Sequence, residues 1–308
     1  MSEHEQVRVH IVGAATSAAA HGPGQERAPE AFRAHGLLER LTAAGLEVID
    51  HGDVVHFRME PDPDHPKLQS ADRVIEAART VAGQVQRIAQ AEPDARILVL
   101  GGDCSIQLGV IAGAKAAAGA PHARVGLAYV DLDCDLTSPQ SGNGIADWMG
   151  ITHLLDAPDA DARLASLGGP RPLLTRHTLR LVAADRANAY EQSRIDDLSL
   201  TRYLSQQVEE HTADVLAELA AWADGLSLLS VHVDVDVLDQ TAFPIAEEQR
   251  SDPGLSVAGL GRLVTGLMSH RTARIITICE VNPDRPDDPA SAFAELNTML
   301  AAALSARR

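Results

Sequence analysis

The chain has 308 residues, 45% hydrophobic and 22% charged, enough to bury a sizeable core, and with 3% aromatics that core must be built from Ala, Val, Leu and Ile. A formal net charge of -17 argues against a phosphate-backbone partner, which needs clustered Lys and Arg, and suits a cationic small molecule, although many soluble proteins are simply acidic. Three cysteines are too few and too odd in number for a disulfide framework, no stretch nears the ~20 apolar residues of a membrane span, and MSEHEQVRVHIVG carries no leader pattern, so the expectation is a cytoplasmic protein that meets neither nucleic acid nor membrane.

In chain order, residues 7–12 read as a buried strand, 28–44 and 71–90 as helices, and 96–100 as a strand. A helix over 105–118, a strand over 125–130 and a helix over 213–223 follow. Then come a strand over 228–235, a helix over 256–269, a strand over 274–279 and a closing helix over 289–306. Strands alternating with helices predict one α/β domain over 1–308, a three-layer α/β/α arrangement around a mostly parallel sheet. The Pro- and Asp-rich stretches 61–66 and 282–289 are loops, and 240–252 is a long polar insertion placed to line a ligand crevice.

Three motifs fall where predicted strands end: Gly101-Gly102-Asp103-Cys104-Ser105, Asp131-Leu132-Asp133-Cys134-Asp135, and His232-Val233-Asp234-Val235-Asp236-Val237-Leu238-Asp239. Alternate side chains of an extended segment share a face, so Asp131, Asp133 and Asp135 can converge, as can His232, Asp234 and Asp236. Parallel strands bring their C-terminal ends to one edge, where ligands bind. Five carboxylates there cannot all stay ionised and desolvated without cations. Carboxylates suit Mn, Mg or Ca, and an added thiolate or imidazole draws the preference toward Mn, Fe or Zn. One DxD alone is weak, because solvated loops often carry it, and Gly101-Gly102 could be only a tight turn. An EF-hand over 131 onward fails, with Leu136 where Gly is needed and Gly142 where Glu is needed.

GGDCSIQLG, DLDCD, DVDVLD and CEVNP resemble, in order and approximate spacing, the GGDHS, DAHxD, SxDxDxxDP and EVxP blocks of ureohydrolases, the arginase and agmatinase family. The segment HGPGQERAPEAFRAHGLLERLTAAGLEVIDHGD is similar to that family's opening, so the resemblance spans roughly residues 9–283. It implies two divalent metal ions, normally Mn, hydrolysis of a guanidino group to a urea-type product and an amine, and a homo-oligomer, trimer or hexamer. Asp131, Asp135, Asp234 and Asp236 fall on family metal ligands, with Asp135 also orienting the water. Glu280 falls on the glutamate that pairs with the substrate guanidinium.

The departures are specific. Cys104 and Asp133 stand where the family has ligand histidines, giving the expected metal set Cys104, Asp131, Asp133, Asp135, Asp234 and Asp236. The SGNxHG segment reads Ser141-Gly142-Asn143-Gly144-Ile145-Ala146-Asp147-Trp148, with Asp147 the candidate for the proton-relaying histidine's place. His232 replaces a family serine and is expected to support the ligands or simply be buried. Thr137, Ser141 and Asn143 are the expected substrate-binding residues. The family's Arg-Asp-x-Asp turn is blurred to Ala184-Asp185-Arg186-Ala187, and Gln240 replaces a proline before a lengthened loop running to Pro253-Gly254-Leu255. The substrate these features suggest is arginine or a modified arginine such as Nω-hydroxyarginine. Two other readings stay open: a hydrolase using Cys104 as nucleophile, since a helix N-terminus lowers a thiol pKa, and a non-catalytic relative kept for binding or assembly.

Overall fold

A computed structural model describes residues 6–119, 123–167, 169, 171–248 and 254–307. Eight strands form one sheet: β1 (Arg8–Thr16), β2 (Glu47–Phe57), β3 (Arg96–Leu100), β4 (Val125–Val130), β5 (Leu179–Val182), β6 (Arg202–Tyr203), β7 (Leu228–Asp234) and β8 (Ala273–Cys279). Their order is β2-β1-β3-β8-β7-β4-β5-β6, and every pair of neighbours is parallel. Covered on both faces, the central strands have no solvent side, and β3 (RILVL) and β4 (VGLAYV) are buried at every position.

The alternation of side chains sorts each strand between two cores. Val231 and Val233 of β7, with Ile276 and Ile278 of β8, join Phe32, Leu263 and Phe293 on one face. Ile97, Val99, Leu127, Tyr129 and Cys279 join Val81, Val85 and Ile111 on the other. The first face is covered by helices Leu37–Ala43, Thr212–Ala223, Val257–Met268 and Pro289–Ser305, and the second by Ala71–Ala91 and Gln107–Ala118. The long helix Ala71–Ala91 shows why: Val74, Ile75, Ala78, Val81, Val85 and Ile88 recur at helical spacing and are all buried.

Some boundaries differ from the sequence reading. The helix expected over 28–44 is two, Ala28–Ala34 and Leu37–Ala43, because Gly36 takes a left-handed conformation at φ 82° and turns the chain. The first strand runs on to Thr16, and β2, β5 and β6 were not anticipated. Of the insertion 240–252, residues 249–252 lie outside the described residues, as does Pro253. No helix among the described residues is long and apolar enough to cross a membrane.

Candidate metal and substrate site

Strand ends β3, β8, β7 and β4 are neighbours, so the segments that follow them meet at one edge of the sheet. Asp131 directly follows β4, Asp234 closes β7, Cys279 closes β8, and Cys104 opens the turn beyond β3. The turn is set by close approach. A Cβ on Gly102 would lie 1.8 Å from the Thr16 carbonyl oxygen, and one on Gly101 would lie 2.4 Å from Cys279 Sγ. Asp103 faces away from the cavity: it accepts from the Ser105 and Ala19 amides, tying β1 to the helix that follows.

One small cavity is lined by His21, Asp131, Asp133, Asp135, Asp147, Trp148, Asp234, Asp236, Glu248 and Glu280. Ligand-type atoms of Cys104, Asp131 and Asp234 lie within 4.8 Å of one another, as do those of Asp131, Asp133 and Asp236, and those of Cys104, Asp147 and Glu280. Backbone amides hold the carboxylates in place: Asp133 N donates to Asp131 at 2.6 Å, Asp236 N to Asp234 at 2.8 Å, and Cys104 N to Asp147 at 2.7 Å. Asp135 lines the cavity but belongs to none of these close sets, and it accepts the hydroxyl of Tyr129. Asp135 and Glu280 both sit at positive φ, 47° and 62°, a backbone strain of about 1–3 kcal/mol each that the surrounding structure must hold.

Burial sets the electrostatics. It is the largest cause lifting the Asp131, Asp135, Asp147, Asp234 and Glu280 carboxyls well above the ordinary range, and neighbouring carboxylates add to the lift. Asp236 is raised to about 7, by burial first and then by Asp133. Burial likewise raises the Cys104 thiol, helped by Cys279 and Asp234, and lowers His232 to about 3. A site that penalises its own negative charge this strongly is built for cations. Two buried oxygens, Asp131 Oδ2 and Glu280 Oε1, have no hydrogen-bond partner among the described residues, which is what a cation or cationic ligand would supply. The donor set therefore fits divalent cations, at Cys104, Asp131 and Asp234 and at Asp131, Asp133 and Asp236.

The remaining expected residues lie elsewhere. Thr137 donates its hydroxyl to the Trp148 carbonyl at 2.5 Å, Ser141 receives the Ser138 amide in an exposed turn, and exposed Asn143 caps Ile145. None of the three lines the cavity. His232 is fully buried, with Nε2 3.2 Å from Cys104 Sγ and Nδ1 3.3 Å from Gln107 Oε1. Arg186, in the blurred turn, reaches back to Asp133 through Nε at 2.7 Å and also through Nη2, which in turn lies 3.1 Å from Glu248. Gln25 donates to Glu280 at 3.2 Å. Sequence reasoning passed over His21, Gln25, Trp148, Glu248 and Arg186 as site residues. His21 and Gln25 sit in a segment with no acidic alternation, Trp148 adjoins Asp147, Glu248 lies in the polar insertion 240–252, and for Arg186 the altered turn was the only signal.

The sequence model of the arginase family matches residues 7–305. The chain belongs to the arginase family. Among curated relatives, the hepatic arginase of Aquarana catesbeiana is 26% identical over 99% of this chain and 94% of its own length, and the arginase of Brevibacillus brevis is 26% identical over 94% and 90%. Among solved structures, Entamoeba histolytica arginase in complex with L-ornithine superposes with a TM-score of 0.86 at 18% identity, covering 97% of this chain and 99% of that one. Formimidoylglutamase from Bacillus subtilis superposes with 0.73 at 18% identity, covering 99% and 88%. These structural likenesses show the arginase-like α/β fold. Arginase-family proteins use binuclear metal centres, and the Cys104–Asp131–Asp234 and Asp131–Asp133–Asp236 sets lie at the strand ends where this chain gathers its ligand atoms.

Proposed function

We propose that this chain is a metal-dependent amidinohydrolase that cleaves the guanidino group of arginine or a modified arginine, such as Nω-hydroxyarginine, to a urea-type product and an amine. The observation carrying this reading is Glu280. Its Oε2 accepts from Gln25, and among the described residues its buried Oε1 faces no donor and no Lys or Arg lines the cavity. A planar cation with N–H donors on several sides meets that need. The acidic mouth already takes such a group, since the Arg186 guanidinium sits two-pronged on Asp133.

Bound divalent cations, Mn being the expectation for the carboxylate set, would supply an acidified and oriented water. Cys104, Asp131 and Asp234 would hold one, and Asp131, Asp133 and Asp236 the other. Glu280 holds the guanidinium against the carboxylates by charge and hydrogen bonding. Water adds to the guanidino carbon, the bond to the amine breaks, and the leaving nitrogen needs a proton. Asp147 lines the cavity with a carboxyl that burial raises well above the ordinary range, and it is the group placed to give that proton and then recover one from solvent. Asp135, fixed by the Tyr129 hydroxyl, would accept a proton from the attacking water once bound cations offset its burial and hold the carboxylate ionised.

The Cys104 nucleophile reading has a partial geometric basis, because His232 stands 3.2 Å from the thiol and is oriented by Gln107. The environment opposes it. Burial, with Cys279 and Asp234, raises the thiol and burial lowers His232, each against the charged form that a metal-free thiolate–imidazolium pair requires. The decisive experiment is urea or hydroxyurea release by wild type and Glu280→Gln, side by side. The expected result is unchanged metal content with release lowered at least a hundredfold, since losing a charge-assisted pair in a dry site costs about 3 kcal/mol. Equal rates would remove Glu280 from the reaction, and no release from any guanidino compound by wild type would favour a non-catalytic role.

A further inference from the structure

Cys104 has a second set of neighbours that guanidino hydrolysis does not use. Ligand atoms of Cys104, His232 and Cys279 all lie within 4.8 Å of one another, and each residue is at most 2% exposed. The sheet makes this meeting inevitable. Cys104 follows β3, Cys279 ends β8 and His232 lies on β7, three strands adjacent in the sheet. Asp234 pairs in register with Cys279 and His232 with Thr277, so these four point to one face.

The three donors are also held as donors. The missing Cβ of Gly101 leaves space for Cys279 Sγ, which a Cβ would approach to 2.4 Å. Gln107 Oε1 lies 3.3 Å from His232 Nδ1 and accepts a hydrogen bond from its N–H, which leaves the Nε2 lone pair directed at Cys104 Sγ, 3.2 Å away. The Tyr129 ring stacks on the imidazole with centroids 4.4 Å apart and planes 4° apart, fixing its orientation. Asp234 Oδ2 lies 3.2 Å from the same sulfur.

We propose that Cys104, Cys279 and His232 form a three-donor site for a zinc-class divalent cation, its fourth tetrahedral position open on the side of Asp234, beside the carboxylate set that suits a hard cation. Thiolate and imidazole at bond lengths of ~2.3 and ~2.0 Å around one ion put donor atoms roughly 3.5–3.8 Å apart, a small adjustment from the spacing here. Mg, Ca and Mn favour oxygen donors, so the two sets would sort two kinds of cation. The inference rests on the function proposed above only in taking the Cys104 corner as cation-binding. It adds His232 and Cys279 as ligands and makes the centre a mixed one.

Cobalt(II) added to chelator-stripped, reduced protein tests it. The expected spectrum has the strong visible bands of tetrahedral cobalt and a sulfur-to-cobalt charge-transfer band, and Cys279→Ser should lose about half of that band, one of two thiolate ligands. Weak octahedral bands, or full charge transfer retained in Cys279→Ser, overturns the proposal. Should that variant misfold, X-ray absorption at the zinc edge of wild type counts the sulfurs directly: two support the site, and one or none overturns it. Urea release from the same zinc-loaded, manganese-supplemented sample separates the two readings. Two sulfurs without release keeps this site and removes guanidino hydrolysis, whereas no sulfur with release does the reverse.

Discussion

Arg186 shows how one residue can tune a charged site. Its guanidinium engages Asp133 through two nitrogens and reaches Glu248, placing a fixed positive charge on a carboxylate that also belongs to the Asp131, Asp133 and Asp236 set. Arginine and a hard cation therefore compete for Asp133. Both partners are partly exposed, with side chains 40% and 20% accessible, so solvent weakens the pair. Arg186→Met is expected to tighten Mn binding at that set by about tenfold, equivalent to the ~1.5 kcal/mol lower bound for a charge-assisted bond. Calorimetric Mn titration of the two proteins measures this, and unchanged affinity would mean that Asp133 does not hold the cation. Neither this competition nor the Cys104–Cys279–His232 meeting was legible in the sequence. The alternation of Asp131, Asp133 and Asp135 is local, whereas Arg186 and Asp133 are 53 residues apart.

At the scale of elements, what could be read followed from burial. β3 and β4, apolar and β-branched because helices cover both their faces, match their expected limits. β2 (EVIDHGDVVHF) is an edge strand with only Val55 buried, so its Asp and His residues erase the signal, and β5 and β6, of four and two residues, are too short for a period to show. The loop after β7 was read from composition as a crevice-lining insertion, and Glu248 does line the cavity. What holds that loop is Gln240. Its Nε2 donates to the Val235 and Leu238 carbonyls at 3.0 Å each, and its Oε1 accepts from the Ile245 and Ala246 amides at 3.2 and 3.1 Å. Gln240 is 5% exposed, so Gln240→Ala strands buried backbone groups and should cost about 2–3 kcal/mol. Thermal denaturation should then show a midpoint several degrees lower, and a midpoint within one degree of wild type, on the order of a surface substitution, would show the loop is held otherwise.

For the whole molecule, a net charge of -17 and a buried acidic centre tie folding to whatever neutralises that centre. Asp103 is raised from 3.8 to about 6 and Asp236 from 3.8 to about 7, both chiefly by burial. A carboxyl whose folded pKa lies above its unfolded value binds more protons when folded. Its stabilisation is complete below pH 3.8 and is lost as pH rises through about 6 to 7. Surface carboxylates act oppositely: Arg27 lowers Asp284 and His65 lowers Asp62, contributions lost as the medium turns acidic. Chelator-treated protein should therefore already be losing stability at pH 5, above the surface window and inside the buried one, and the loss should be complete by about pH 7. Divalent cations displace those protons and bind more tightly as pH rises, so reloading should raise the melting temperature most at pH 8. Calorimetric scans of stripped and reloaded protein at pH 5, 6.5 and 8 check both trends. A stripped protein whose melting temperature climbs steadily to pH 8 would mean that the acidic centre is hydrated and ionised without any cation, and the case for a metal site would fall with it.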